Sequence, residues 1–161
     1  MTAVSLGRRA LLSLALACLS FAPALAACPQ PPQSLRTEPM AIVTHRGVIR
    51  LTVEIADTDQ TREIGLMCRR SLAPSRGMLF DFRTVQPSVS FWMRNTLIPL
   101  DMVFIAADGR VVSVASNAVP LDETPINSGG PVLGVLEIGG GRAAALGIAP
   151  GDKVRERIFQ R

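Results

Sequence analysis

The run Trp92-Met93-Arg94-Asn95-Thr96-Leu97-Ile98-Pro99-Leu100-Asp101 is the densest gathering of groups able to do chemistry in this chain. It sets an indole face, a guanidinium fork, an amide and a carboxylate close together. Such a set suits a small molecule or peptide with a ring and a carboxylate or phosphate, because Arg recognises those anions bidentately. Trp92 is the expected apolar wall, and Arg94, Asn95 and Asp101 are the expected polar contacts. The same residues also have a structural use. Trp92 and Met93 can fill core, Asn95 and Thr96 can shape a turn, and Asp101 can pair with Arg94 or accept from a backbone N–H. On a strand Trp92, Arg94 and Thr96 share one face. Pro99 ends pairing and holds Ile98 extended.

Two other chemistries compete with binding. A hydrolase acting on an envelope small molecule or glycan needs a nucleophile and a base. The chain's one His, His45, falls in an expected turn, far from any Ser with a recognisable elbow. Asp101 and Glu137 work as paired carboxylates only within about 5–10 Å of each other. The alternative is Cu(I), held by the thioethers of Met67, Met78 and Met93 beside Trp92, since soft sulfur selects that ion. Methionine is more commonly a filler of irregular core gaps. Asp122, Glu123 and Asn127 lack EF-hand spacing, so a solvated loop is expected there. One His and no Tyr exclude a multi-histidine metal cage and a tyrosine-based site. No Walker A, G-x-G-x-x-G, G-x-S-x-G or H-E-x-x-H motif occurs, and no cofactor is expected. The leading reading is a non-catalytic binding or accessory module.

The 161 residues, 48% hydrophobic and 19% charged, allow one domain with a sizeable core. Residues 1–27 read as an export signal. Arg8-Arg9 is a positive start, Ala10 to Phe21 an uncharged apolar run, and Ala24-Leu25-Ala26 a cleavage site. The net charge of +4 falls to +2 without Arg8 and Arg9, too little to argue for nucleic acid. Leu25-Ala26-Ala27-Cys28 resembles a bacterial lipobox, which makes Cys28 the expected lipidation site and the link to a membrane. The expected location is the periplasmic side of a bacterial envelope, lipid-anchored, or else soluble periplasmic or secreted. Gly7-Arg8-Arg9-Ala10-Leu11-Leu12 weakly resembles a twin-arginine signal, so the export route stays open. Residues 28–40, rich in Pro and polar groups, are an expected tether. Without a lipid on Cys28, a Cys28–Cys68 disulfide is conceivable.

The elements that must position these groups follow from patterning. Residues 41–44 and 48–55 read as a hairpin, with Leu51, Val53 and Ile55 facing the core. Asp57 or Thr58 can cap a helix running to about Arg69, with Ile64, Met67 and Cys68 on one face. Gly65 inside that helix points to close packing against a strand. Strands are expected at 77–82 and 89–94. A hairpin spans 100–106 and 110–118 around Asp108-Gly109. A Pro/Gly loop over 119–131 is the expected lid or partner surface. A strand over 132–138, a helix over 141–146 and a strand over 154–159 complete residues 41–161 as a single domain. The predicted class is α+β: a compact, mostly antiparallel curved sheet or partly open β-barrel with two short helices.

An ordered series of motifs runs through this domain. It comprises Thr61-Arg62-Glu63-Ile64-Gly65-Leu66-Met67-Cys68-Arg69, Gly77-Met78-Leu79-Phe80, Phe91-Trp92-Met93-Arg94-Asn95-Thr96 and Ile98-Pro99-Leu100-Asp101. Phe104-Ile105, Asp108-Gly109-Arg110, Val135-Leu136-Glu137 and Gly147-Ile148 with Gly151-Asp152 and Val154 follow. Together they resemble the bacterial and archaeal family called domain of unknown function 192, over about residues 42–159. The resemblance implies a small β-rich fold and frequent export, and carries no activity with it.

Overall fold

A computed structural model describes residues 28–160. The export signal expected in residues 1–27 lies outside the described residues. The first strands are β1 (Thr37–Thr44) and β2 (Gly47–Ala56), followed by helix α1 (Asp59–Ile64). β3 (Arg76–Gln86), the short β4 (Ser90–Phe91), β5 (Leu100–Ile105) and β6 (Val111–Ala118) come next. Then come the short β7 (Ile126–Asn127), β8 (Val132–Gly139), helix α2 (Arg142–Leu146) and β9 (Lys153–Arg155).

Seven strands form one sheet in the order β6-β5-β8-β3-β2-β1-β9, while β4 pairs only with β7. All neighbours are antiparallel except β2 and β3. That one parallel pair follows from the crossover through α1. At one end the sheet's two edges meet: Arg110 bridges Lys153, and Val154 N donates to Gly109 O at 2.7 Å. The sheet is therefore strongly curved and partly closed. The helices are five and six residues long, so the fold is β-dominated and fits the α+β label only loosely.

Alternation buries both faces of this sheet. Leu51, Val53 and Ile55 of β2 face inward, as patterning predicts, with Val103, Leu136 and Ile138. The other face carries Met78, Phe80, Met102, Phe104 and Val135. It is this second face that α1, β4 and the loop after β6 cover.

Several boundaries differ from the sequence expectation. The first helix ends at Ile64, because Gly65 leaves helical space at φ 50°. A Cβ there would lie 3.1 Å from the Phe80 ring, so the expected close packing on a strand is present, at the residue that ends the helix. Thr58 caps the helix, its hydroxyl accepting from Thr61 N in a reciprocal box. The strand expected over 89–94 stops at Phe91. Met93 N donates to Asp122 O, Thr96 N donates to Met93 O, and Asn95 adopts φ 54°, so residues 92–96 turn. The last strand gives way to a 3-10 turn over Arg157–Gln160.

Residues 28–36 lie against the domain, unlike a free tether. Gln33 Nε2 donates to Thr61 O and Gly65 O, both at 2.9 Å. Arg69 Nη2 donates to Gln33 O at 2.6 Å and to Glu54 Oε2 at 2.7 Å. Cys28 is disulfide-bonded to Cys68. This pairing and the expected lipidation are alternatives: the one sulfur of Cys28 cannot carry both a lipid thioether and a disulfide. Of the two fates open to it, pairing is the one present here. The bridge closes a separation of 40 residues. Removing it with the Cys28→Ala/Cys68→Ala pair should cost about 3–4 kcal/mol in urea unfolding, by the chain-entropy account. Equal stability of the oxidised and reduced chains would count against the pairing.

Candidate functional site

A cleft opens between α1, with the turn after it, and the 89–96 segment. It has two adjoining lobes that share Glu63, Ile64, Met67 and Trp92. One lobe, of about 380 Å³, is walled by Leu66, Phe80, Phe82, Phe91 and Trp92. Phe80 and Phe91 meet edge to face at 5.0 Å, which fixes that wall. The other lobe, of about 320 Å³, is polar and is lined by Gln30, Gln60, Arg94 and Asn95 among others. Pro29 and Gln30 reach it because the disulfide and Gln33 hold the N-terminal segment on α1.

Glu137 lies at the floor of the apolar lobe. In-register partners share a face, so Glu54, Met78, Glu137 and Met102 form one row across β2, β3, β8 and β5. Glu54 in that row is paired with Arg69. Glu137 is not: it is 4% exposed, and no described residue hydrogen-bonds its carboxyl. Burial alone pushes its pKa up to about 8, so it is mainly a neutral hydrogen-bond donor at pH 7.

The expected site residues divide. Trp92, Arg94 and Asn95 line the cleft. Trp92 is 45% exposed, and the Arg94 guanidinium stacks on its ring at 4.0 Å while pairing with Glu123 at 2.9 Å. That ion pair raises the Arg94 pKa. Asp101 does not join them. It is fully buried on the opposite face, accepting from Asn117 N and Gly141 N through Oδ1 and from Ala143 N through Oδ2, at 2.7–2.9 Å. Its carboxylate holds the β8–α2 turn to the end of β6. Asp101 therefore has the backbone role that the sequence left open, and is no ligand contact here.

The same register separates the supposed carboxylate pair. Asp101 sits opposite Ile138, whereas Glu137 sits opposite Met102, so the two acids point to opposite faces. His45 is exposed in the β1–β2 turn, away from both. Met78 and Met93 are buried in the core around Phe80, while Met67 lies at the cleft, where Asn95 Nδ2 approaches its sulfur at 3.9 Å. Among the described residues no three of His, Cys, Asp and Glu gather as a metal site. Asp122 instead takes hydrogen bonds from the Thr124 side chain and backbone N–H, which lower its pKa.

Cys68, Asn95 and Leu121 all adopt left-handed φ, between 54° and 65°. Cys68 N donates to Asn95 O, and Leu121 N to Thr96 O. A branched residue such as Leu121 reaches this region only when its surroundings hold it there. From sequence, Glu137 stands only in the Val135-Leu136-Glu137 motif and as a carboxylate partner for Asp101. The available signal was stronger than that: an acid on the core-facing alternation of Val135 in the otherwise apolar β8.

No curated protein matches the chain. Solved structures similar to it include two at more than 40% identity. A putative transcription regulator from Sinorhizobium meliloti 1021 is 44% identical, with 78% of this chain and 97% of that one covered and a TM-score of 0.74. A protein of unknown function from Novosphingobium aromaticivorans DSM 12444 is 43% identical, with coverage of 81% and 96% and a TM-score of 0.74. The profile of the DUF192 family, described as an uncharacterised ACR, matches residues 41–156, and this chain belongs to that family.

Proposed function

We propose that the protein is a binding module, whose cleft takes a small molecule with an apolar, ring-sized body. The body fills the aromatic lobe over Glu137. Trp92 is the shared wall, and Arg94 and Asn95 meet whatever part of the ligand extends into the polar lobe. One observation carries this reading: a buried carboxyl with no hydrogen-bond partner among the described residues, at the floor of an open, aromatic-walled cavity. An unsatisfied buried polar group costs about 1–3 kcal/mol, and a ligand that pairs with it recovers part of that cost. Apolar walls with one convergent polar group are the usual form of a small-molecule site.

We also propose export to an oxidising compartment. The Arg8-to-Ala26 pattern supports it, and so does the Cys28–Cys68 bridge, since such bridges persist outside reducing cytosol.

The chain's single Trp makes the binding reading directly testable. Millimolar 2-phenylethanol should change Trp92 emission. It should also move the amide NMR signals of residues 62–67, 80–82 and 89–92 while leaving those of β1 and β9 in place. Unmoved signals at the cleft would remove the binding site.

A further inference from the structure

We propose that the ligand of the apolar lobe is an organic cation, an ammonium group on an apolar body, seated against the Glu137 carboxyl. The inference rests on the binding reading above and adds the ligand's chemical class.

The argument is one of charge. Around Glu137 the flanking strands bring uncharged Met78 and Met102, and beyond Met78 stands Glu54, already paired with Arg69. β4 brings Ser90 and Phe91, which carry no charge. Among the described residues, the other ionisable groups lining the lobe are Arg62 and Glu63, both from α1. Arg62 is committed: it pairs with Asp59 and donates to Asp81 O at 2.7 Å. Glu63 is exposed at the mouth and has no ion-pair partner among the described residues. In the other lobe Arg94 is held by Glu123. The lobe thus holds two uncommitted acids and no uncommitted base.

The walls favour the same charge. Four of the chain's seven aromatic residues line this lobe, and the faces of such rings attract cations. Two of them already do so within the protein: Arg62 lies 5.6 Å from the Phe82 centroid and Arg94 lies 4.0 Å from that of Trp92. An anion would face Glu63 and Glu137 with no free base to meet it. At ~30 Å³ per heavy atom, water's share of liquid volume, the lobe holds roughly a dozen. Charge balances by proton release: the ammonium enters, the Glu137 proton leaves to solvent, and a carboxylate–ammonium pair remains.

The test is calorimetric titration of the full chain with 2-phenylethylamine and 2-phenylethanol between pH 6 and pH 8.5, in two buffers of different ionisation enthalpy. The amine stays an ammonium through most of this range. Its affinity should rise about tenfold per pH unit and level off near pH 8, with close to one proton released at pH 6. At pH 8 it should bind at least tenfold more tightly than the alcohol. Glu137→Gln should lose both the pH dependence and the preference for the amine over the alcohol. Should that variant fail to fold, the proton count on the unaltered chain still decides. An alcohol that binds as tightly as the amine, with affinity falling above pH 8, overturns the cation and leaves the binding reading standing. If neither probe binds, both fall.

Discussion

The unaltered chain should lose stability as pH rises from about 4.5 to about 8, and Glu137→Gln should remove that slope. The sign follows from proton counting. Burial raises the Glu137 pKa from 4.5 in the unfolded chain to about 8 in the folded one. Between those values the folded state binds more protons, so unfolding becomes easier as pH rises. The stabilisation is complete below pH 4.5 and gone above pH 8. At 1.36 kcal/mol per pH unit it amounts to something on the order of 5 kcal/mol. Asp57, Asp108 and Asp122 are all shifted the other way, chiefly by hydrogen bonds from Arg36, Arg110 and Thr124 respectively. Their contributions are lost as pH falls through the acid range, below the Glu137 window. Urea unfolding at pH 5, 6.5 and 8 stays above the acid range and isolates the Glu137 effect. A flat profile in the unaltered chain, or the same slope in Glu137→Gln, rules out the buried neutral carboxyl.

Asp101→Ala should cost about 3–6 kcal/mol, and more than Asp101→Asn. Three backbone N–H groups, those of Asn117, Gly141 and Ala143, converge on this one carboxylate. Each buried donor left unmade costs roughly 1–3 kcal/mol. Asn keeps Oδ1 for two of them and turns an NH₂ group toward the third, so it loses only part. Below the unfolding transition, Asp101→Ala should still bind 2-phenylethanol at the cleft, since Asp101 faces away from it. Loss of less than 1 kcal/mol would show that these bonds do not hold the β8–α2 turn. Loss of probe binding in a folded variant would return Asp101 to the site.

Local pattern made much of the fold legible. Leu51, Val53 and Ile55 alternate as half-buried strands do, and Asp108-Gly109 marks its hairpin, with Gly109 at φ 81°. The 89–96 segment misled for a physical reason. Its composition suits a strand, but Met93 N is taken by Asp122 O, a contact 29 residues away that no local propensity contains. The docking of residues 28–36 has the same origin, in the backbone carbonyls of Thr61 and Gly65 and the side chains of Glu54 and Arg69, which the tether's own composition does not announce.

The sequence by itself determined the family, most of the strands and the closeness of Trp92, Arg94 and Asn95 along one segment. It also determined that Glu137 and Asp101 occupy strands, because a period of two is written in the chain. Only the tertiary structure decided which face each acid meets. Register across β8 and β5 put Asp101 under the β8–α2 turn and Glu137 under a cavity, and the covering by α1 and β4 left that cavity open. Period tells which side chains share a face. What lies over that face depends on contacts between distant residues, and those exist only once the sheet has closed.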